Sequence, residues 1–289
     1  MTDLSERIAA LPPEKRALLS RRLFAEQRRP GSRPIPRQSQ RGRPFPLSYG
    51  QRRLWLTQQL APDSSLLNIS GALRLRGPID LAALEQSLNE LMRRHETLRT
   101  AFTTVEGAPV QVIRPAAGAC LPLTTADLRG LPERERDAAL WRWMEEEAAR
   151  RFDLAEGPVV RALLIRIADE DHALHVTVHH IVSDGWSAGV MTRELLALYE
   201  AFSHGRPSPL PILPIQYADF AAWQQGDEQV AALSDSLAYW RERLQGAPTV
   251  LEVPTDYRRP AVQSFRGARH TAELPRDLAE SVKALAQAE

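Results

Sequence analysis

Val178-His179-His180-Ile181-Val182-Ser183-Asp184-Gly185-Trp186-Ser187 stands where an alternating apolar run gives way to a helical pattern. Upstream, Ala173 to His179 reads as a strand; downstream, Ser187 to Phe202 reads as a long amphipathic helix. Loops at strand ends commonly carry active sites. Because strand side chains alternate in direction, His180 points with Leu174, Val176 and Val178, while His179 points the other way. The two rings cannot easily share a ligand, no Cys lies nearby and His175 sits too far back, so no metal is expected at His179, His180 and Asp184. Adjacent histidines at a strand end are, taken alone, more often structural than catalytic. The residues after them change that balance. Histidine can act as a base or hydrogen-bond partner, Gly185 lets the backbone approach a ligand, and a helix starting at Ser187 leaves free N–H groups facing the same place. The layout suits acyl transfer without a protein nucleophile: there is no GxSxG elbow, and Cys120 has no evident partner base.

Working outward, Ser48 can cap a helix through Leu60, and Asn68 to Leu75 alternates Ile69, Gly71, Leu73 and Leu75 on one face as a strand does. Asp80 caps a helix with a Leu81, Leu84, Leu88, Leu91 and Met92 stripe, followed by a hairpin from Thr97 to Ile113 around Glu106-Gly107. Arg134 to Phe152 reads as a helix and Val159 to Ile167 as a strand. The alternation predicts an α/β (α+β layered) domain. Beyond the Pro207 to Pro214 break, helices are expected over Tyr217 to Gln225 and Gln229 to Leu244. A strand is expected over Gly267 to Leu274 and a helix from Pro275 to Glu289.

The 289 residues carry 37 Lys+Arg against 36 Asp+Glu, a net charge of +1, which does not describe a basic nucleic-acid binder. The single Cys120 rules out an internal disulfide framework and a cysteine zinc site. No secretion signal opens the chain, and every apolar run is broken well short of the roughly 20 residues that cross a bilayer, so no membrane role and a cytoplasmic location are expected. Leu4 to Gln27 has the spacing of two short helices, broken at Pro12-Pro13. Arg28 to Pro46 has almost no apolar residue and reads as a linker. Trp55, Trp223 and Trp240 are expected to pack, His95 to be structural, and His172, His204 and His270 to lie in loop-like or exposed places.

Ser48 to Trp55, Arg94 to Phe102, His179 to Gly185 and Tyr217 to Trp223, in that order along the chain, resemble the motifs of one family, the condensation domains of nonribosomal peptide synthetases, related in fold to chloramphenicol acetyltransferase. His179 to Gly185 matches the HHxxxDG signature, and Arg94-His95-Glu96-Thr97-Leu98-Arg99-Thr100-Ala101-Phe102 resembles RHExLRTxF. Ser48-Tyr49-Gly50-Gln51-Arg52-Arg53-Leu54-Trp55 is similar to the first motif, with Gly50 where a small residue such as Ala is usual. Tyr217-Ala218-Asp219-Phe220-Ala221-Ala222-Trp223 resembles YxDFAxW.

The resemblance implies that His180 is the active-site histidine, where a donor-thioester channel meets an acceptor-amine channel. His179 would support it, and Trp186 and Ser187 would lie beside the substrate. It implies that Asp184 is structural and paired with an arginine, Arg99 or alternatively Arg161, and that Gly185 gives the substrate arm passage. No cofactor would be bound; phosphopantetheine arms of donor and acceptor carrier proteins would deliver both substrates. Residues 1-29 would be a helical extension or a docking segment for an upstream synthetase and 30-46 a linker. Residues 47-225 would form the N-terminal lobe and 226-289 the connecting helices and the start of a truncated C-terminal lobe, leaving a complete motif inside an incomplete site. Such an incomplete fold is expected to expose apolar surface and to self-associate. An ester-forming, carrier-dependent acyltransferase and a non-catalytic docking or scaffold module are the alternatives; epimerisation and cyclisation domains fit the motifs less well.

Overall fold

The computed structural model describes residues 34–39, 42–250, 254–258 and 272–288. The chain divides into a first unit ending at Arg241 and a second from Glu242. In the first, β1 (Phe45–Pro46), β3 (Thr100–Val105) and β4 (Ala108–Ile113) form an antiparallel sheet in the order β1-β4-β3. The main sheet runs β2-β7-β6-β5, from β2 (Asn68–Arg76), β7 (Asp171–His179), β6 (Val160–Ala168) and β5 (Leu123–Asp127). Among the described residues the β5–β6 pairing is parallel and the β2–β7 and β6–β7 pairings are antiparallel. The α/β layered class expected from the sequence is the class observed.

The period-2 alternation of β6 builds two cores at once. Val160, Ala162 and Leu164 face a core shared with α2 (Leu81–Arg94) and α4 (Gly185–Ser203) through Leu84, Leu88, Leu91, Leu195 and Leu198. Leu163, Ile165 and Ile167 face Leu140 and Met144 of α3 (Glu133–Ala149) on the other side. A strand buried on both faces reads as a nearly continuous apolar run, which is why β6, interrupted by Arg161 and Arg166, is plain in the sequence. Leu91 is fully buried, and truncating it to Ala costs about 2–5 kcal/mol. Leu81, expected in the same stripe, is 42% exposed: at the first position of α2 it lies above the core.

Local chemistry sets the element ends. Asp80 Oδ1 accepts from the Ala83 N–H at 3.0 Å, closing the N-terminus of α2. Glu106 and Gly107 both have positive φ, 51° and 79°, the two-residue turn whose twist suits an antiparallel hairpin. The hairpin starts at Thr100 because Glu96–Arg99 forms a 3-10 turn. Helix α3 stops at Ala149, before the expected Phe152. Phe152 and Leu154 leave it to join a third core with Leu47, Phe102, Val159 and Ile181.

Helix α1 (Tyr49–Leu60) starts at Ser48, whose Oγ accepts from the Gln51 N–H at 3.1 Å while Gln51 Oε1 accepts from the Ser48 N–H at 3.0 Å. Helix α5 (Tyr217–Gln224) is followed by α6 (Asp227–Arg243), on which Trp240 is 54% exposed rather than packed. The expected linker is partly structured: it contains β1, and the Gln38 N–H donates to Asp219 Oδ1 at 2.9 Å. In the second unit, α7 (Arg276–Ala288) follows the expected helix, and 272–274 have no regular structure where a strand end was expected. Residues 267–271 of that strand, His270 and the helices over Leu4 to Gln27 lie outside the described residues. Among the described residues no helix is long and apolar enough to cross a membrane.

Candidate active site

Strand β7 ends at His179, and a tight turn redirects the chain. The His180 N–H donates to the Leu67 carbonyl at 2.7 Å and the Val182 N–H to the His179 carbonyl at 3.1 Å. Helix α4 begins at Gly185, two residues before the expected start, because Asp184 is its cap. Asp184 Oδ1 accepts from the Ser187 N–H at 2.8 Å and from the Ser187 hydroxyl at 2.7 Å. The Ser187 hydroxyl, then the backbone N–H, hold the Asp184 carboxyl below its usual range. Of the N–H groups expected to be free at this helix start, that of Ser187 is therefore taken.

The two histidines face different surroundings, as alternation requires. His180 is half-buried in the wall of a cavity of about 650 Å³, with Leu54, Leu98, Met191 and Phe220 among its apolar neighbours. Its Nδ1 lies 2.8 Å from the Ser183 carbonyl oxygen. A carbonyl only accepts, so the neutral ring carries its proton on Nδ1 and keeps a basic lone pair on Nε2. His179 is 1% exposed, edge-on to Phe152 with ring centroids 6.2 Å apart, and does not line the cavity. Its Nδ1 accepts from the Ile181 N–H at 3.1 Å and its Nε2 lies 3.2 Å from Gln58 Oε1. Burial, then the neighbouring His180, push its pKa down to about 4.

Among the other expected residues, Asp184, Trp186 and Ser187 join His180 at the cavity, Trp186 being 81% exposed. Gly185 and Arg99 are not among the lining residues; a Cβ on Gly185 would meet only open space. The arginine pairing is corrected. Among the described residues no ion pair joins Asp184 to Arg99 or Arg161. Arg99 sits 3.6 Å from Glu96, three residues back on its own turn, and also donates to the Arg114 carbonyl. Arg161 crosses to α3, where it pairs with Glu147 at 2.5 Å, and it lies over the Phe152 ring at 3.8 Å. Asp184 binds its own helix instead because the cap is three residues away and needs no long-range partner.

Several contributors went unread in the sequence. Gln58 is buried and bonded to His179; its spacing from Gln51 and Leu54 puts it on the inward stripe of α1, and a polar residue there is a signal. His95, expected to be structural, is anchored by Glu194 Oε2 at 2.6 Å and also lines the cavity. His172, expected to lie in a loop-like or exposed place, is buried on β7.

The family model described as "Condensation domain" matches residues 43–289. The chain is 46% identical over 287 residues to phosphinothricin tripeptide synthetase PhsC of Streptomyces viridochromogenes, covering 99% of this chain and 26% of that protein. It is also 47% identical over 243 residues to malpinin synthetase of Mortierella alpina, covering 84% of this chain and 3% of that protein. Among solved structures, the X-domain in complex with OxyB from teicoplanin biosynthesis superposes with a TM-score of 0.70 at 32% identity, covering 82% of this chain and 50% of that one. The first condensation domain of the calcium-dependent antibiotic synthetase, in complex with a substrate analogue, gives a TM-score of 0.63 at 27% identity, covering 71% of this chain and 48% of that one. This chain thus spans about a quarter or less of those curated relatives and half of those solved chains. A motif-bearing turn at the end of β7, the fold that presents it and a family match over residues 43–289 agree, and the chain belongs to the condensation-domain family.

Proposed function

We propose that this chain contributes the histidine half of a peptide-bond-forming site, in which a carrier-tethered amine attacks a carrier-tethered acyl or peptidyl thioester. The observation that carries the reading is the Ser183 carbonyl at 2.8 Å from His180 Nδ1, which leaves Nε2 as an acceptor on a ring at the cavity wall. That nitrogen can take the proton of the attacking amine or hold the amine by hydrogen bonding; a positioned base is typically worth about 10²–10⁴-fold. The thiolate leaves readily, and aligning two tethered reactants contributes several kcal/mol more, roughly 7–11 in favourable cases. His179, Asp184 and Ser187 shape the turn and the start of α4, and Trp186 lies at the mouth.

Both substrates arrive, in this reading, on phosphopantetheine arms of donor and acceptor carrier proteins. Residues 47-225 serve as the N-terminal lobe, residues 226-289 as connecting helices and the start of a C-terminal lobe, and residues 1-29 dock an upstream synthetase. The half coverage of the solved relatives supports that division. A second reading, a non-catalytic interaction module, is favoured by one comparison: the 32% identical X-domain was solved in complex with another protein, OxyB.

The deciding experiment is intact mass spectrometry of an acceptor-loaded carrier mixed with a donor-loaded carrier. It is run with this chain and with a longer polypeptide containing it, each with and without His180→Ala. Transfer that depends on His180 supports condensation; equal transfer with the Ala variant, or none from either polypeptide, favours the interaction module.

A further inference from the structure

We propose that Gln58 is a positioning residue for the histidine turn: from the C-terminal end of α1 it selects which nitrogen of His179 carries the proton. Through the Ile181 amide, that choice holds His180 at the cavity wall. The argument follows donors and acceptors along a chain of hydrogen bonds. Gln58 Nε2 lies 3.2 Å from the Pro62 carbonyl and 3.4 Å from the Ala61 carbonyl, just past the end of α1. Carbonyl oxygens only accept, so the amide nitrogen of Gln58 faces them and its oxygen faces the other way. That oxygen sits 3.2 Å from His179 Nε2 and also only accepts.

On the far side of the ring, His179 Nδ1 receives the Ile181 N–H at 3.1 Å. One ring thus meets a pure acceptor at Nε2 and a pure donor at Nδ1. Only the neutral Nε2–H tautomer satisfies both. The Nδ1–H tautomer sets two N–H groups against each other at Ile181 and two lone pairs against each other at Gln58; the imidazolium keeps the first conflict. Phe152, nearly perpendicular to the ring at 88°, fixes its plane, and burial favours the uncharged form. Ile181 directly follows His180, whose own N–H is tied to Leu67, so the His179 tautomer and the place of His180 are linked by adjacent backbone bonds.

The catalytic consequence rests on the reading of His180 given above; the tautomer itself does not. The test uses the full chain, labelled with 15N, and long-range proton–nitrogen spectra of the histidine rings. At pH 7 the expected result is the neutral Nε2–H form for His179. A His179 ring found as Nδ1–H, as a mixture of tautomers or as imidazolium overturns the proposal with no variant needed. In Gln58→Met, which removes both amide functions at similar length, His179 is expected to lose its single tautomer. The Ile181 amide is expected to exchange about tenfold faster relative to amides of β6, the size of one lost hydrogen bond. An unchanged tautomer and unchanged Ile181 protection overturn the proposal, and so does a uniform rise in exchange across β6 and the turn, which marks a packing role alone. Absent acyl transfer with the expected tautomers counts against the condensation reading and leaves this one standing.

Discussion

Ser48 Oγ and Tyr217 OH lie 3.0 Å apart, although 169 residues separate them in sequence, and they join the starts of α1 and α5. Gln225 Nε2, bonded to the Leu47 carbonyl, and Gln224 Oε1, accepting from the Tyr49 N–H at 2.9 Å, reinforce the junction. Two segments that read as separate motifs are one structural joint. Ser48→Ala removes the helix cap as well as the cross-link and is expected to cost about 1–2 kcal/mol. Tyr217→Phe removes the cross-link alone and is expected to cost about 1 kcal/mol. Urea denaturation of both single variants and the double variant gives the coupling; strictly additive losses would show that the hydroxyl pair contributes nothing.

If the proposed condensation function holds, His180→Ala is expected to lower acyl transfer by about 10²–10⁴-fold. Its thermal midpoint should stay close to that of the unchanged chain, because the ring is half-buried and, among the described residues, hydrogen-bonds the nearby Ser183 carbonyl alone. Carrier-protein mass spectrometry with calorimetry checks both halves. Lost activity with a collapsed midpoint would point to folding rather than chemistry.

Acid is expected to weaken the fold between pH 6.5 and pH 4. The folded pKa of His179 is pushed down to about 4 from 6.5, so the unfolded chain binds the proton more readily. Its contribution is therefore fully present above pH 6.5 and is lost as pH falls towards 4, up to roughly 3 kcal/mol. Burial shifts His172 and His175 in the same direction. Urea midpoints at pH 7 and pH 5, at constant ionic strength, should differ, and His179→Gln should shrink the difference; identical midpoints would contradict the assignment.

Asp184→Asn should be tolerated and Asp184→Ala should not. Asn accepts the Ser187 hydrogen bonds that close α4, whereas Ala leaves the helix start uncapped at a cost of about 1 kcal/mol. An ion-pair role would make Asn nearly as damaging as Ala. Denaturation of the two variants separates the cases.

The elements were legible wherever one residue's neighbours in sequence are also its neighbours in space. The alternation of β6, the Asp80 cap and the Glu106-Gly107 turn each rest on local chemistry and appear where the pattern put them. Partner choice was not legible. Arg99 and Asp184 could have met, but each found a partner three residues away, and nothing local marked Arg161 for Glu147 on another element. The sequence pattern puts the start of α4 two residues late, at Ser187, because Asp184 is not read as a cap; the geometry shows it accepting from Ser187. Gln58 escaped notice because its role depends on a histidine far along the chain.

The place of β7 between β2 and β6 has a kinetic meaning. Its pairing with β6 is a short-range hairpin, but its pairing with β2 brings together residues such as Ser70 and Thr177, which are 107 positions apart. Closing so long a loop slows folding and is compensated only when the surrounding core forms. His180 hangs its own N–H on Leu67, the residue just before β2, so its final position waits for that distant closure. A nascent chain that has completed only the β6–β7 hairpin carries the whole histidine signature and no working arrangement of it.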